Sequence, residues 1–262
     1  MEQPILLRLA SSTSSVQIRP SPFFSPARSG RTNTTKDTYN NVKVVPECVI
    51  NVVNYDIVHQ MSLASSPYAP DVDEFVKAGL TPVASDLVKP ARIKESPVQM
   101  ECKVIEVKEL GENGGAGNLV ICEIVKIHIS EDVLNEEQMV DQKKIDLVAR
   151  MGGNWYCRAD EKSMFEIAKP IVTKGIGIDN IPQDIKLSHI LSGNDLGQLG
   201  GIVELPNETD VNEHKLIELS ELFLKYEDDA VTLEKELHLL AKSLLKENKL
   251  EEAWMTLLAF NN

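Results

Sequence analysis

The feature that most constrains the fold is a matched pair of long runs. VQMECKVIEVKEL (98–110) and NLVICEIVKIHIS (118–130) flank GENGGAG (111–117). In the first run Val98, Met100, Cys102 and Val104 alternate with Gln99, Glu101 and Lys103, the period-two pattern of a half-buried strand. The second run is apolar on both faces over Leu119–Ile121. The link must turn, because glycine accepts positive φ at little steric cost. Two strands of this length joined so tightly form an antiparallel hairpin. The chain is therefore expected to build an antiparallel barrel with short helices packed on it.

The remaining elements are shorter. ECVINVVN (47–54) is β-branched and reads as a buried strand. YDIVHQMSLA (55–64) carries a short helical pattern, and 65–75 is a loop entering a helical turn around Val72–Ala78. Residues 81–97 are expected to be extended, because Pro82, Pro90 and Pro97 block helix. A helix is expected near Lys143–Ala149, then a Gly-Gly break at 152–153 and the aromatics Trp155, Tyr156 and Phe165, of which Trp155 and Tyr156 are more often core or interface residues than ring-stacking partners.

The C-terminal part changes character. Residues 171–206 hold six glycines and two prolines and read as an irregular arm whose Ile and Leu side chains need somewhere to pack. GIGIDN lacks the glycine spacing of a nucleotide fingerprint. Residues 207–262 read as a helical extension. Leu216, Leu219, Leu222, Phe223 and Tyr226 fall at helical spacing, and so do Leu233, Leu237, Leu240, Leu244 and Leu245. ENK (247–249) breaks that run before a last helix. A single helical hairpin cannot bury its own face, so it is expected to dock on the barrel or on a partner subunit.

Charge narrows the function. The net charge is −13, which disfavours a nucleic-acid polymer as ligand. Residues 1–46 run the other way, with Glu2 and Asp37 as acids against Arg8, Arg19, Arg28, Arg31, Lys36 and Lys43. Within them SPARSGRTNTTKDTYNN (25–41) is rich in hydroxyls and cations. A local basic segment on an acidic protein suits a small anionic ligand. No apolar run is long enough to span a membrane. The four cysteines form no CxxC pair and mostly lie in strand-like runs, which fits free buried thiols and a reducing, cytoplasmic compartment. No metal-ligand spacing is present, and no residue is singled out as catalytic.

Taken in order, SPARSGRTNTTKDTYNNVKVVPECVINVVN, MSLASSPYAPDVDEFVKAGLTP, VKPARIKESPVQMECKVIEV, NLVICEIVKIHI and KIDLVARMGGNWYCR resemble the flavin reductase-like family, the flavoredoxin-type flavoproteins. Before them, 1–24 reads as an atypical segment, with QPILLRLASST where the family has RPIAxVST and VQIRPSPFF where it has VNLSPFSFF. The resemblance implies a mainly β fold with α, an FMN-binding split β-barrel, over 25–170 and incomplete at its start. It implies a six-stranded barrel, a homodimer with FMN near the subunit interface, and electron transfer from NADH or NADPH to flavin. By that resemblance RTNTTKDT is the phosphate-binding element, with Arg28, Lys36, Asp37 and Thr38 as contributors. Asp37 or Thr38 is expected to cap a short helix whose first N–H groups face the phosphate. Ser65 and Tyr68, in a lid-like SSPYAP, and His128, at a strand end, are candidate contacts to flavin or nicotinamide. A structural role is as natural for His128, and Glu101 and Glu123 are expected to pair with lysines across the hairpin. The alternative is a non-enzymatic split-barrel protein, acting as a flavin carrier or through partner contacts of its acidic helices.

Overall fold

The computed structural model describes residues 21–69, 71–167 and 174–261. The fragments quoted from residues 1–20 lie outside that set. By its contacts the chain divides into two compact units, 1–165 and 166–262, and each is described by itself.

In the first unit the elements are β1 (Phe23–Phe24), α1 (Asp37–Val44), β2 (Glu47–Asn51), α2 (Val58–Ala64), α3 (Glu74–Ala78), β3 (Pro82–Val83), β4 (Arg92–Ile93), β5 (Val98–Glu109), β6 (Asn118–Ile129), α4 (Gln142–Ile145), β7 (Val148–Gly152) and β8 (Trp155–Arg158). One antiparallel sheet runs in the order β1-β6-β5-β2. Its centre is the expected hairpin, with Val98 opposite Ile129 and Glu109 opposite Asn118. Among the described residues this main sheet has four strands, and β3–β4 and β7–β8 form separate two-stranded ribbons. Val42 of α1 packs on one face over Cys102, Val120 and Cys122.

Two expectations fail for local reasons. Gln99 and Glu101 do not face solvent: both are buried, and Glu101 is fully so. The register slips between Glu101 and Cys102, and the loop before β4 covers the face that the alternation marks as polar. The helix expected over Lys143–Ala149 is only the single turn α4. It stops at Asp146, which takes a left-handed φ of 52°, and Val148 then pairs with Arg158 as the start of a strand ribbon. Gly152 and Gly153, both at positive φ, turn that ribbon. Trp155 is 78% exposed, which removes the core reading of this aromatic.

The second unit holds α5 (Gln183–Lys186), α6 (Gly193–Leu199), α7 (Glu208–Glu218), α8 (Ser220–Lys225), α9 (Ala230–Lys246) and α10 (Leu250–Leu258). Three of its helices, α6, α7 and α9, are capped by side chains. Ser192 and Asp195 form a reciprocal capping box, Asn207 accepts from Asp210 N–H, and Asp229 accepts from Thr232 N–H. Such caps contribute about 1 kcal/mol each. Ile181, Ile185, Leu191 and Leu199 of the glycine-rich segment bury against Leu245, Trp254 and Leu257. A second cluster joins Val211 and Leu219 to Leu233 and Leu237. The helical hairpin thus finds partners for its apolar face within its own unit. Glycine has a definite purpose here: a Cβ on Gly175 would strike the Gly200 carbonyl. Without it, Ile176 N–H reaches Ile202 O at 2.7 Å and Gly177 N–H reaches Gly200 O at 3.0 Å.

Candidate functional site

The basic segment is fastened to the tip of the β5–β6 hairpin. Arg28 N–H donates to Ala116 O at 2.8 Å, and Gly115 N–H donates back to Arg28 O at 3.0 Å. Asn118 Nδ2 donates to Pro26 O at 2.9 Å. The buried Asn118 Oδ1 meets no donor among the described residues. The hairpin glycines make this seating possible. A Cβ on Gly114 would lie 3.0 Å from Ser29 O, and one on Gly117 would lie 2.6 Å from Ser25 Oγ.

Within the segment, a turn folds Arg28 over Asn33. Its Nε donates to Asn33 Oδ1 at 3.0 Å and its Nη2 to Asn33 O at 2.7 Å. Asn33 tolerates the positive φ of 55° that this turn needs. The Thr32 and Thr34 hydroxyls share a hydrogen bond of 2.8 Å. The chain then enters α1, which is pinned to β5: Tyr39 Oη donates to the Glu109 carboxylate, and Lys43 Nζ lies 3.2 Å from it. Those two donors, Tyr39 first, hold the Glu109 carboxyl below its ordinary range.

The start of α1 differs from expectation. The N-cap is Lys36, and no side chain caps the helix; Asp37 and Thr38 are its first two residues. The first-turn N–H groups therefore keep their partial positive charge, beside Lys36 and close in sequence to Arg28. The Lys36 carbonyl accepts from Asn40 N–H at 3.2 Å, while its ammonium has no hydrogen-bond or ion-pair partner among the described residues. Arg28, Lys36, Asp37 and Thr38 are thus all on the segment that runs from the hairpin tip into α1. Ser65 and Tyr68 are not: Ser65 Oγ donates to Met61 O at 2.9 Å, and Lys77 sits 5.9 Å from the Tyr68 ring centre. Both belong to the α2–α3 loop.

His128 sits elsewhere, in a network that the sequence did not reveal. Its Nε2 lies 2.6 Å from Glu101 Oε1. Asp86 N–H donates to Oε1 at 2.9 Å and Leu87 N–H to Oε2 at 2.6 Å, while Arg92 Nε stands 3.9 Å from Oε1. Burial pushes the Glu101 carboxyl up, but the two amides and His128 outweigh it and hold the group below its ordinary range. The expected lysine partner goes to Asp86 instead, which Lys126 contacts. Asp86, Glu101 and His128 offer ligand atoms within 4.8 Å of one another. Lys126 and Arg92 already neutralise those carboxylates, so a cation would have to displace them. One signal could have exposed the network: counting back from the turn puts Gln99 opposite His128.

Asn118 and His128 are ten residues apart on β6, about 33 Å of strand at 3.3 Å per residue. The cradle around α1 and the His128 network are accordingly separate places.

A basic, hydroxyl-rich segment is fastened to the tip of one long antiparallel hairpin, and that hairpin is the frame of the first unit. The model of the flavin reductase like domain matches residues 8–146. The chain belongs to that family and has its split-barrel fold, followed by a helical C-terminal part. The match begins ahead of Ser25, inside the segment read as atypical. An uncharacterized protein of Aquifex aeolicus is 35% identical over 127 residues, 48% of this chain and 63% of that one. The matched stretch thus falls short of two thirds of that relative's length. Another from Halalkalibacterium halodurans is 31% identical over 143 residues, 54% of this chain and 67% of that one. Among solved structures, nitrilotriacetate monooxygenase component B from Bacillus cereus is 25% identical with a TM-score of 0.51, covering 56% of this chain and 72% of that chain. A 2-nitrobenzoate 2-nitroreductase of Pseudomonas fluorescens, 22% identical with a TM-score of 0.51, covers 62% of this chain and 76% of its own and shares the fold. Among the described residues no helix is long and apolar enough to cross a membrane.

Proposed function

We propose that this protein is an FMN-dependent oxidoreductase that takes electrons from NADH or NADPH, working as a cytoplasmic homodimer. One observation carries the reading: the uncapped start of α1, with Lys36 at the cap and Arg28 held in the adjoining turn. The donor set suits a phosphate monoester, which calls for converging N–H groups, hydroxyls and cations. The first-turn amides and Thr38 would supply the directed donors. Arg28 keeps N–H groups beyond the two that hold Asn33, and Lys36 supplies mobile charge. Asp37, at the first helical position, interacts favourably with the helix dipole. Bound FMN would supply the hydride-accepting chemistry, so the protein needs no catalytic triad. The chain's own work is to seat the phosphate and to brace the seat on the β5–β6 tip.

The test is an absorbance spectrum after FMN addition and desalting, followed by anaerobic titration with NADH and then NADPH. Retained flavin bands that bleach with either nucleotide support the reading. Flavin bands that persist without bleaching favour the carrier alternative. A colourless protein overturns the FMN assignment.

A further inference from the structure

The 166–262 unit fills its own core, so the apolar surface left over is not needed to fold it. An open cleft runs between α7–α8 and α9–α10. Its middle is formed by Glu218, Leu219 and Leu240. One arm, of about 300 Å³, continues past Leu222 and Glu221 to Lys225. The other, of about 480 Å³, continues past Leu244 to Glu252 and Thr256. Leu240 is 38% exposed, Leu222 and Leu244 are half-buried, and the three glutamates are exposed. Leucines thus line a channel edged by carboxylates. The surroundings have the same sign: residues 166–262 hold 18 Asp and Glu against 9 Lys.

We propose that this cleft receives a basic amphipathic helix from a partner protein. An apolar stripe at i, i+3 or i+4, and i+7 would lie on Leu222, Leu240 and Leu244, above the buried Leu219, and flanking Lys or Arg would meet Glu218, Glu221 and Glu252. The end charges set a direction. The positive N-terminal pole of the docked helix faces Glu252, and its C-terminal pole faces Lys225. A second copy of this unit is the wrong partner, because it would bring acidic helices to an acidic channel. This proposal is independent of the flavin reading.

The experiment titrates the full-length protein into a fluorescein-labelled peptide of about 16 residues, with leucines at that spacing and lysines elsewhere. A scrambled peptide of the same composition is the control. Saturable one-to-one binding is expected, about tenfold tighter than the scramble and weakened about tenfold by E218K/E221K. Circular dichroism confirms that the variant remains helical. Absent binding, equal affinity for the scramble, or no response to E218K/E221K each overturn the proposal. So does a dimer in sedimentation that E218K/E221K dissolves, which would assign the cleft to a second copy.

Discussion

Glu101, with no exposed side-chain surface, holds His128 Nε2 at 2.6 Å across the central hairpin. The same carboxylate receives the amides of Asp86 and Leu87, so one buried side chain ties a strand, its neighbour and a covering loop. Glu101→Gln turns one of those acceptors into a donor facing N–H groups. Breaking a buried pair of this kind costs about 3 kcal/mol, read as a lower urea midpoint with an unchanged slope. An unchanged midpoint would show that the network is energetically idle.

The same carboxylate sets an acid limb. Its folded-state pKa lies below its ordinary value of 4.5. The stability it contributes is therefore complete above that value and is lost as pH falls through the lower folded-state value. Urea midpoints of the wild type should drop faster than those of Glu101→Gln below about pH 4.5. Parallel curves would place the acid sensitivity elsewhere.

Two glycines at the hairpin tip differ in what they face. A Cβ on Gly114 meets the Ser29 backbone carbonyl, whereas one on Gly117 meets only the Ser25 hydroxyl, which can rotate away. Gly114→Ala should cost about 1–3 kcal/mol, the usual range for overpacking, and should weaken FMN binding. Gly117→Ala should cost less. Equal thermal melts and equal FMN affinities for both variants would show that the cradle does not depend on this seating.

Trp254 is fully buried, and its Nε1 donates to Leu199 O at 3.1 Å. Trp254→Ala should destabilise the helical unit by about 3–5 kcal/mol, the usual cost of emptying an aromatic site. Trp254→Phe should cost less, since most of the volume stays. Helical circular dichroism against temperature checks both, and a melt of Trp254→Ala matching the wild type would contradict the packing described.

Thiol reactivity separates the cysteines. Cys102 and Cys122 are fully buried, and burial pushes the Cys122 thiol up to about 12. Cys157 is exposed. Ellman's reagent should label Cys157 quickly in the native protein and reach Cys102 and Cys122 only on unfolding. Equal rates at all sites would rule out this core.

The hairpin, the strand at 47, the turn at 152–153 and the break at 247–249 were legible because each rests on local rules: alternation, branching, and glycine or cap chemistry. The basic, hydroxyl-rich character of 25–41 was legible too, since hydroxyls and cations sit side by side in one segment. The role of Asp37 was not, because the cap falls one residue earlier, on Lys36, and depends on backbone angles. Glu101 was misread because alternation marks a face as polar without saying what covers it. Here a loop 15 residues upstream supplies the amides. The glycine-rich 171–206 stretch looked irregular because its helices are short, four and seven residues, and are held by Trp254 and Leu245, which lie more than 40 residues from them in sequence.

The central claim is that the start of α1 and its adjoining turn bind a flavin phosphate. The most direct measurement compares FMN with riboflavin, which lacks that phosphate, by fluorescence titration of the wild type and of Arg28→Ala/Lys36→Ala. The wild type is expected to prefer FMN by at least about tenfold, with the preference largely lost in the double variant and riboflavin affinity little changed. Equal affinity of the wild type for the two flavins, or an FMN preference that survives the double substitution, would contradict it.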